Sequence, residues 1–421
     1  MNSHPRNRSI SGPRVVAIAL ASALLLQGCG SLGWIGLGRS KDPTPPTELS
    51  KTAPQEVAVR TLWTTRIGKG NDGRALSLRP AVSGNRVYAA DASGTVAALD
   101  ATSGRTLWER KTKTPFSGGP DVDGDRLVVG SSNGEILLLS TRDGSQRWRA
   151  QLESEVLSTP RFIGDLVIVH TIDDTVYGLE LSDGSERWRY GYKAPILTLR
   201  GSSSPAAGPE GIIVGVSSGR LVYLDAEQGA PIWEVTVSPP SGRSELERIA
   251  DIDTDPVLVG NQVFVASYNG DLAAIDIPSG TVLWRRELSA HAGLAADATA
   301  LYITDSIDNL WAADPTDGAG QWKQDALLHR RLTAPVIVGE SIAVGDSEGY
   351  VHYLSRRDGR LVGRERVTKA SAASAPVVSG NTQFIKFENG VVAAVRGGRG
   401  SASRAAATPA TPRPLPTGDE P

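Results

Sequence analysis

The sequence predicts an all-β fold: an eight-bladed β-propeller of four-stranded antiparallel blades, closed by an N-terminal strand in the last blade. Three observations carry this reading. First, glycine is followed four residues later by tryptophan six times, at Gly104/Trp108, Gly144/Trp148, Gly184/Trp188, Gly229/Trp233, Gly280/Trp284 and Gly318/Trp322. A fixed internal period is the mark of a repeat architecture. Second, each unit reads as four short strands joined by Gly, Asn or Asp turns, the second alternating as in Arg86 to Ala90, which is hairpin grammar. Four strands in a unit of ~40 residues describe a propeller blade. Third, the last unit has only three such segments, and an unclaimed Trp63 lies in VAVRTLWTTRI, ahead of the first unit.

The elements follow in chain order. Residues 1–14 carry Arg6, Arg8 and Arg14 and no acid, and residues 15–26 form an apolar run of twelve. Twelve helical residues reach only ~18 Å against a hydrocarbon core of ~30 Å, so this is a secretory signal and not a span. Cys29 is the single cysteine, which excludes an intramolecular disulfide. Leu26, Gln27, Gly28 and Cys29 resemble the lipobox of bacterial lipoproteins. That resemblance implies a signal peptide over 1–28 and lipidation of Cys29, several acyl chains giving stable attachment where one is marginal. Gly30, where an inner-membrane retention signal has Asp, implies the outer membrane, with the body on its periplasmic face. Residues 29–56 are rich in Gly, Pro, Ser and Thr and read as a flexible tether.

The propeller is expected over 57–396. Its units start at Pro80, Pro120, Pro160, Pro205, Pro256, Gly293, Pro335 and Pro376. Each tryptophan is expected to wedge against a neighbouring blade, burying ~150–250 Å². Asp100, Glu180, Asp225, Asp276 and Asp314 stand before the turn, placed to accept its amide N–H groups. The seventh unit departs: Gly363 replaces the tryptophan and Ser355 the acid, predicting a weaker joint there. The segment 57–67 supplies the outer strand of blade 8, which removes open sheet edges. Residues 397–421 read as a disordered tail.

Function is expected where the spacing breaks. The Trp-to-Trp spacings from Trp63 are 45, 40, 40, 45, 51 and 38 residues. The excess falls after Trp188 and after Trp233, in connections between blades that emerge on one face. Loops on a rigid scaffold commonly carry function. The first offers Leu197, Leu199 and Arg200, apolar area beside a fork of donors. The second offers the acceptors Asp251 and Asp253. Two bland alternatives stand beside partner binding: Leu197 and Leu199 line an inner strand, or Arg200 pairs internally with Asp251 or Asp253.

No metal is assigned. A calcium loop starting at Asp251 needs Gly at the sixth place and Glu at the twelfth, where Pro256 and Gln262 stand. No catalytic residue is assigned either: His170, His291, His329 and His352 are scattered, and no nucleophile, zinc or phosphate-loop motif is present. A net charge of −2 gives no global bias toward nucleic acid.

The skeleton A-x-D-x-x-x-G-x-x-x-W resembles the tryptophan-docking repeat of quinoprotein dehydrogenases, eight-bladed propellers that bind pyrroloquinoline quinone and calcium. The same repeat occurs in the BamB family, the propeller lipoproteins of the outer-membrane β-barrel assembly machinery. LTLRGSSSP from Leu197, ERIADIDTDPV from Glu247 and SYNGDLAAIDIPSGTVLWRREL from Ser267 are similar to BamB segments. That resemblance implies a scaffold without enzyme activity or cofactor. Its partners would be the POTRA region of BamA, through the five loop residues above, other subunits of the complex and nascent outer-membrane proteins. A quinone-dependent dehydrogenase and a glycan-binding envelope propeller are the alternatives.

Overall fold

The computed structural model describes residues 44–76, 78–191, 201, 203–240, 243–244, 249–290 and 292–399. They form eight four-stranded antiparallel sheets and, among the described residues, no helix. Blade 1 is Ala81–Ser83, Arg86–Ala90, Thr95–Asp100 and Thr106–Lys111, from inside to outside. Blades 2 to 7 repeat this order. Blade 8 takes Val377–Ser379, Thr382–Lys386 and Val391–Arg399 from one chain end and Val57–Arg66 from the other. The N-terminal strand therefore closes the ring. The last C-terminal strand runs on to Arg399, past the expected boundary at 396, because residues 397–399 pair with 59–57.

The core is a set of seams. Eight clusters of buried apolar side chains each fill one gap between neighbouring blades. In the gap between blades 8 and 1, Trp63, Val392 and Ala394 pack against Val87, Ala89, Ala97 and Leu99. Burial on both sheet faces explains why the middle strands are apolar runs and not alternations.

Seven joints share one geometry. A Cβ built on Gly104 would lie 2.5 Å from Trp63 Cδ2, and one on Gly229 2.3 Å from Trp188 Cε3. The indole lies flat on the turn before the outer strand of the next blade, where only hydrogen fits. These glycines also adopt positive φ, +71° at Gly104 and +67° at Gly229. Each Nε1 donates to a carbonyl of that turn, as Trp108 does to Thr141 at 2.9 Å and Trp233 to Ile277 at 2.7 Å. The acids before the turn behave as expected at Asp100, whose Oδ1 accepts the Ser103 amide at 2.8 Å. Asp225, Asp276 and Asp314 likewise accept turn amides. Glu180 instead binds Arg187 in a fork, at 2.6 and 2.8 Å.

One regularity has no sequence signature. In every blade the outer pair contains a β-bulge that skips the residue just before the tryptophan position. A bulge re-aims the following side chain. Here it turns the indole toward the next blade and in most blades sends the skipped residue outward; in blade 7 the skipped Val362 is buried. Leu62, Ile232 and Leu283 are 44, 41 and 47% exposed for this reason.

The joint between blades 7 and 8, expected to be weaker, is built differently from the other seven. A tryptophan there would need a turn between the last two strands of blade 8. Those strands belong to opposite chain ends, so no such turn exists. Gly363 instead lets the closing strand come close, a Cβ on it lying 2.4 Å from the Val57 carbonyl oxygen and 2.8 Å from Val59 Cγ2. Val59, Tyr353, Val362, Ile385 and Val395 fill the gap. The leader also differs from a free tether. From residue 46 it docks: Thr47 N–H donates to Leu328 O at 3.0 Å, Leu49 packs into the seam of blades 6 and 7, and Gln55 bridges Gly363. Cys29 and the rest of the expected tether to residue 43 lie outside the described residues.

Candidate partner-binding face

Each blade sends its outer-to-inner connections to the same face as the turns between its second and third strands. The two long connections run from Gly191 to Ala206 and from Thr236 to Val257. Leu197, Leu199 and Arg200 lie outside the described residues. The described inner strand of blade 4 is Ala206–Ala207.

Asp251 is buried, and its Oδ1 accepts the Ser218 amide at 3.1 Å in the neighbouring turn of blade 4. Its own carbonyl accepts the Tyr268 amide at 3.1 Å, in the turn of blade 5. It therefore pins the second long connection to both blades. Asp253 is half-buried at the mouth of the central channel. A Cβ on Gly201 would lie 2.5 Å from its carboxylate carbon. The residue that follows Arg200 thus rests on Asp253, and the two long connections meet there.

Burial pushes the Asp253 carboxyl up to about 7, with Asp251 and Asp174 adding repulsion and His170 opposing it. Asp174 and His170 lie beneath. Asp174 accepts the Ser217 amide with both oxygens at 3.3 Å. His170 Nδ1 donates to the Ser203 carbonyl at 2.9 Å, and its Nε2 lies 3.4 Å from Asp174 Oδ1, outside hydrogen-bond geometry. Asp174 takes a turn place that is glycine in most blades, such as Gly94, Gly134 and Gly270, and His170 ends a middle strand where Ala90, Gly130 and Ala266 stand elsewhere, so a departure from the repeat is the signal that could have found them.

The channel mouth holds a cavity of about 670 Å³. Arg79, Asp121, Arg161 and Asp255 line it from blades 1, 2, 3 and 5, and the small or apolar stretches 294–296, 335–337 and 375–378 from blades 6, 7 and 8. This lining does not fit the quinone and calcium of the dehydrogenase resemblance. It offers no aromatic ring to stack a flat quinone, and its arginines are already paired, Arg79 with Asp255 at 3.1 Å and Arg161 with Asp121 at 3.3 Å. Among the described residues no three His, Cys, Asp or Glu side chains are grouped to hold a metal ion.

These features define a class: a closed, tryptophan-docked propeller whose distinctive surface is a pair of joined loops on one face. Comparison with known proteins narrows it. The family model described as outer membrane protein assembly factor BamB matches residues 59–112 and 92–324. The protein of that name from Alkalilimnicola ehrlichii is 51% identical over 383 residues, covering 91% of this chain and 97% of the relative. The one from Pseudomonas aeruginosa is 47% identical over 374 residues, covering 89% and 96%. The crystal structure of BamB from Moraxella catarrhalis superimposes with a TM-score of 0.74 at 29% identity, covering 80% of this chain and all (100%) of that one. The chain belongs to the BamB family.

Proposed function

We propose that this protein is a non-enzymatic scaffold of outer-membrane protein assembly, binding the POTRA region of BamA through its two joined loops. Family membership supports the assembly role. The observation that carries the site is the contact of Gly201 with Asp253, which makes one surface of two loops far apart in sequence. Leu197, Leu199 and Arg200 supply apolar area and a planar donor fork. Asp251 holds the second loop, and Asp253 presents an acceptor beside it. Such a surface is an interface, with apolar anchors and a charged rim.

The proposal includes a signal peptide over 1–28, acylation at Cys29 and attachment to the periplasmic face of the outer membrane. Nascent outer-membrane proteins and other subunits of the complex are further partners. Replacing Leu197, Leu199 and Arg200 together by Ala tests the site. BamA is expected to be lost from membrane pull-downs while the variant keeps the wild-type melting temperature. Undiminished recovery of BamA overturns the assignment.

A further inference from the structure

The four charged side chains at the channel mouth form a continuous network. Asp255 ends the second long connection, two residues before the inner strand of blade 5. Its Oδ1 accepts the amide of Ser204, near the end of the first long connection, at 2.7 Å. Ser204 Oγ in turn accepts the Thr159 amide at 3.1 Å. The other oxygen of Asp255 lies 3.1 Å from Arg79 Nη2 and 4.0 Å from Arg161 Nη2. Arg161 Nη1 continues to Asp121 Oδ1 at 3.3 Å, and Asp121 Oδ2 accepts the Phe162 amide at 3.3 Å.

The partners come from different blades. Arg79 leads into blade 1, Asp121 belongs to blade 2, Arg161 opens blade 3 and Asp255 leads into blade 5. In a ring of eight, blades 1 and 5 face each other, so the Arg79–Asp255 pair crosses the channel. The ring itself does not need this pair, since tryptophan docking and the apolar seams already join neighbouring blades. The wall from blades 6 to 8 is small or apolar, with Leu294, Ile337, Pro376 and Val378, and among the described residues supplies no charge to the network. The side chains are 22 to 35% exposed, so their attraction is less screened than at an open surface.

We infer that Asp255 is a positioning residue for the partner-binding loops, tying the ends of both together and holding them to Arg79 across the channel and to Arg161 of blade 3. This rests on the reading that these loops bind BamA. The loop ends take their places from charges on other blades, Arg79 and Arg161, not from contacts within the loops alone.

The test uses the full-length protein in detergent and two variants. Asp255→Asn keeps an acceptor for the Ser204 amide and removes the charge. Arg79→Met keeps the length of the side chain and removes the charge. Hydrogen exchange is expected to quicken about tenfold at residues 203–204 and 249–256 in both, and to stay unchanged at the docking turns around Gly144 and Gly318. Half-maximal capture of the BamA periplasmic region is expected to need about tenfold more partner. Unchanged exchange at both loop ends overturns the tie. Faster exchange with undiminished capture overturns the positioning role. If the wild-type protein fails to capture BamA, the proposed function falls, while the exchange arm still decides whether the tie exists.

Discussion

The indole of Trp63 lies on Gly104 and donates its Nε1–H to the Ala101 carbonyl at 2.9 Å. This one contact joins the first strand of the fold to the first complete blade. It is the same joint that links six other pairs of blades, but here it also closes the ring. A methyl group on Gly104 would overlap Trp63 Cδ2 at 2.5 Å, in a backbone at φ +71°. Gly104→Ala is therefore expected to destabilise by about 2–4 kcal/mol, and Trp63→Ala by about 3–5 kcal/mol. Denaturant unfolding followed by tryptophan fluorescence measures both. Losses below about 1 kcal/mol in both variants are incompatible with a closing joint.

Gly363 gives the complementary prediction. The repeat pattern suggests that restoring tryptophan there strengthens blade 7. The structure says the opposite, because the space is filled by the Val57 backbone at 2.4 Å from a Cβ. Gly363→Trp is expected to displace the closing strand and lower the unfolding midpoint, and Gly363→Ala to do so by a smaller amount. Thermal unfolding with circular dichroism reads the order wild type, Ala, Trp. A stabilised Trp variant contradicts this account of the seam.

These two positions show what the sequence makes legible. Docking is legible as a four-residue step because each unit carries the turn glycine that receives the preceding blade's indole and, four residues on, the tryptophan that docks on the next blade, repeated often enough to count. The closing strand is legible because Trp63 lacks a place in its own unit. Gly363 is misread because its cause is the absence of a turn in blade 8, a property of where the chain begins and ends. The bulge before each tryptophan position leaves no mark, since the skipped residue is Leu in three blades, Arg in two, and Ile, Gln and Val in the others. On the binding face, Asp251 and Asp253 are visible as a break in spacing. Arg79 and Asp255 are not visible, because they meet only when the ring closes.

The docked leader makes a third prediction. Arg330 is fully buried, and its Nη1 donates to the Thr47 carbonyl at 2.8 Å. Its Nε donates to Asp346 at 2.8 Å, and Asp346 also binds His352 Nε2 at 2.9 Å. Glu348 completes the cage. Removing the guanidinium leaves Asp346 buried with one partner fewer, which costs about 3–5 kcal/mol. Arg330→Met is therefore expected to lower the unfolding midpoint and to open residues 46–56 to protease before the propeller is cut. Limited proteolysis read by mass spectrometry distinguishes this from general loosening, in which cuts appear across blades 6 and 7 together.

Asp253 carries the pH dependence. Its carboxyl titrates at about 7 in the folded protein and near 3.9 when unfolded. Between these values the folded state holds a proton that the unfolded state has lost. Stability from this group is therefore full below about pH 4 and is lost as pH rises through 7. A shift of about three units is at most about 4 kcal/mol, and partial exposure of the side chain reduces it to about 1–3 kcal/mol. Asp253→Asn removes the group, so the variant is expected to gain most over wild type at pH 8 and least at pH 5. Denaturant midpoints of both proteins across that range provide the check. A difference that stays constant with pH means that Asp253 is charged throughout.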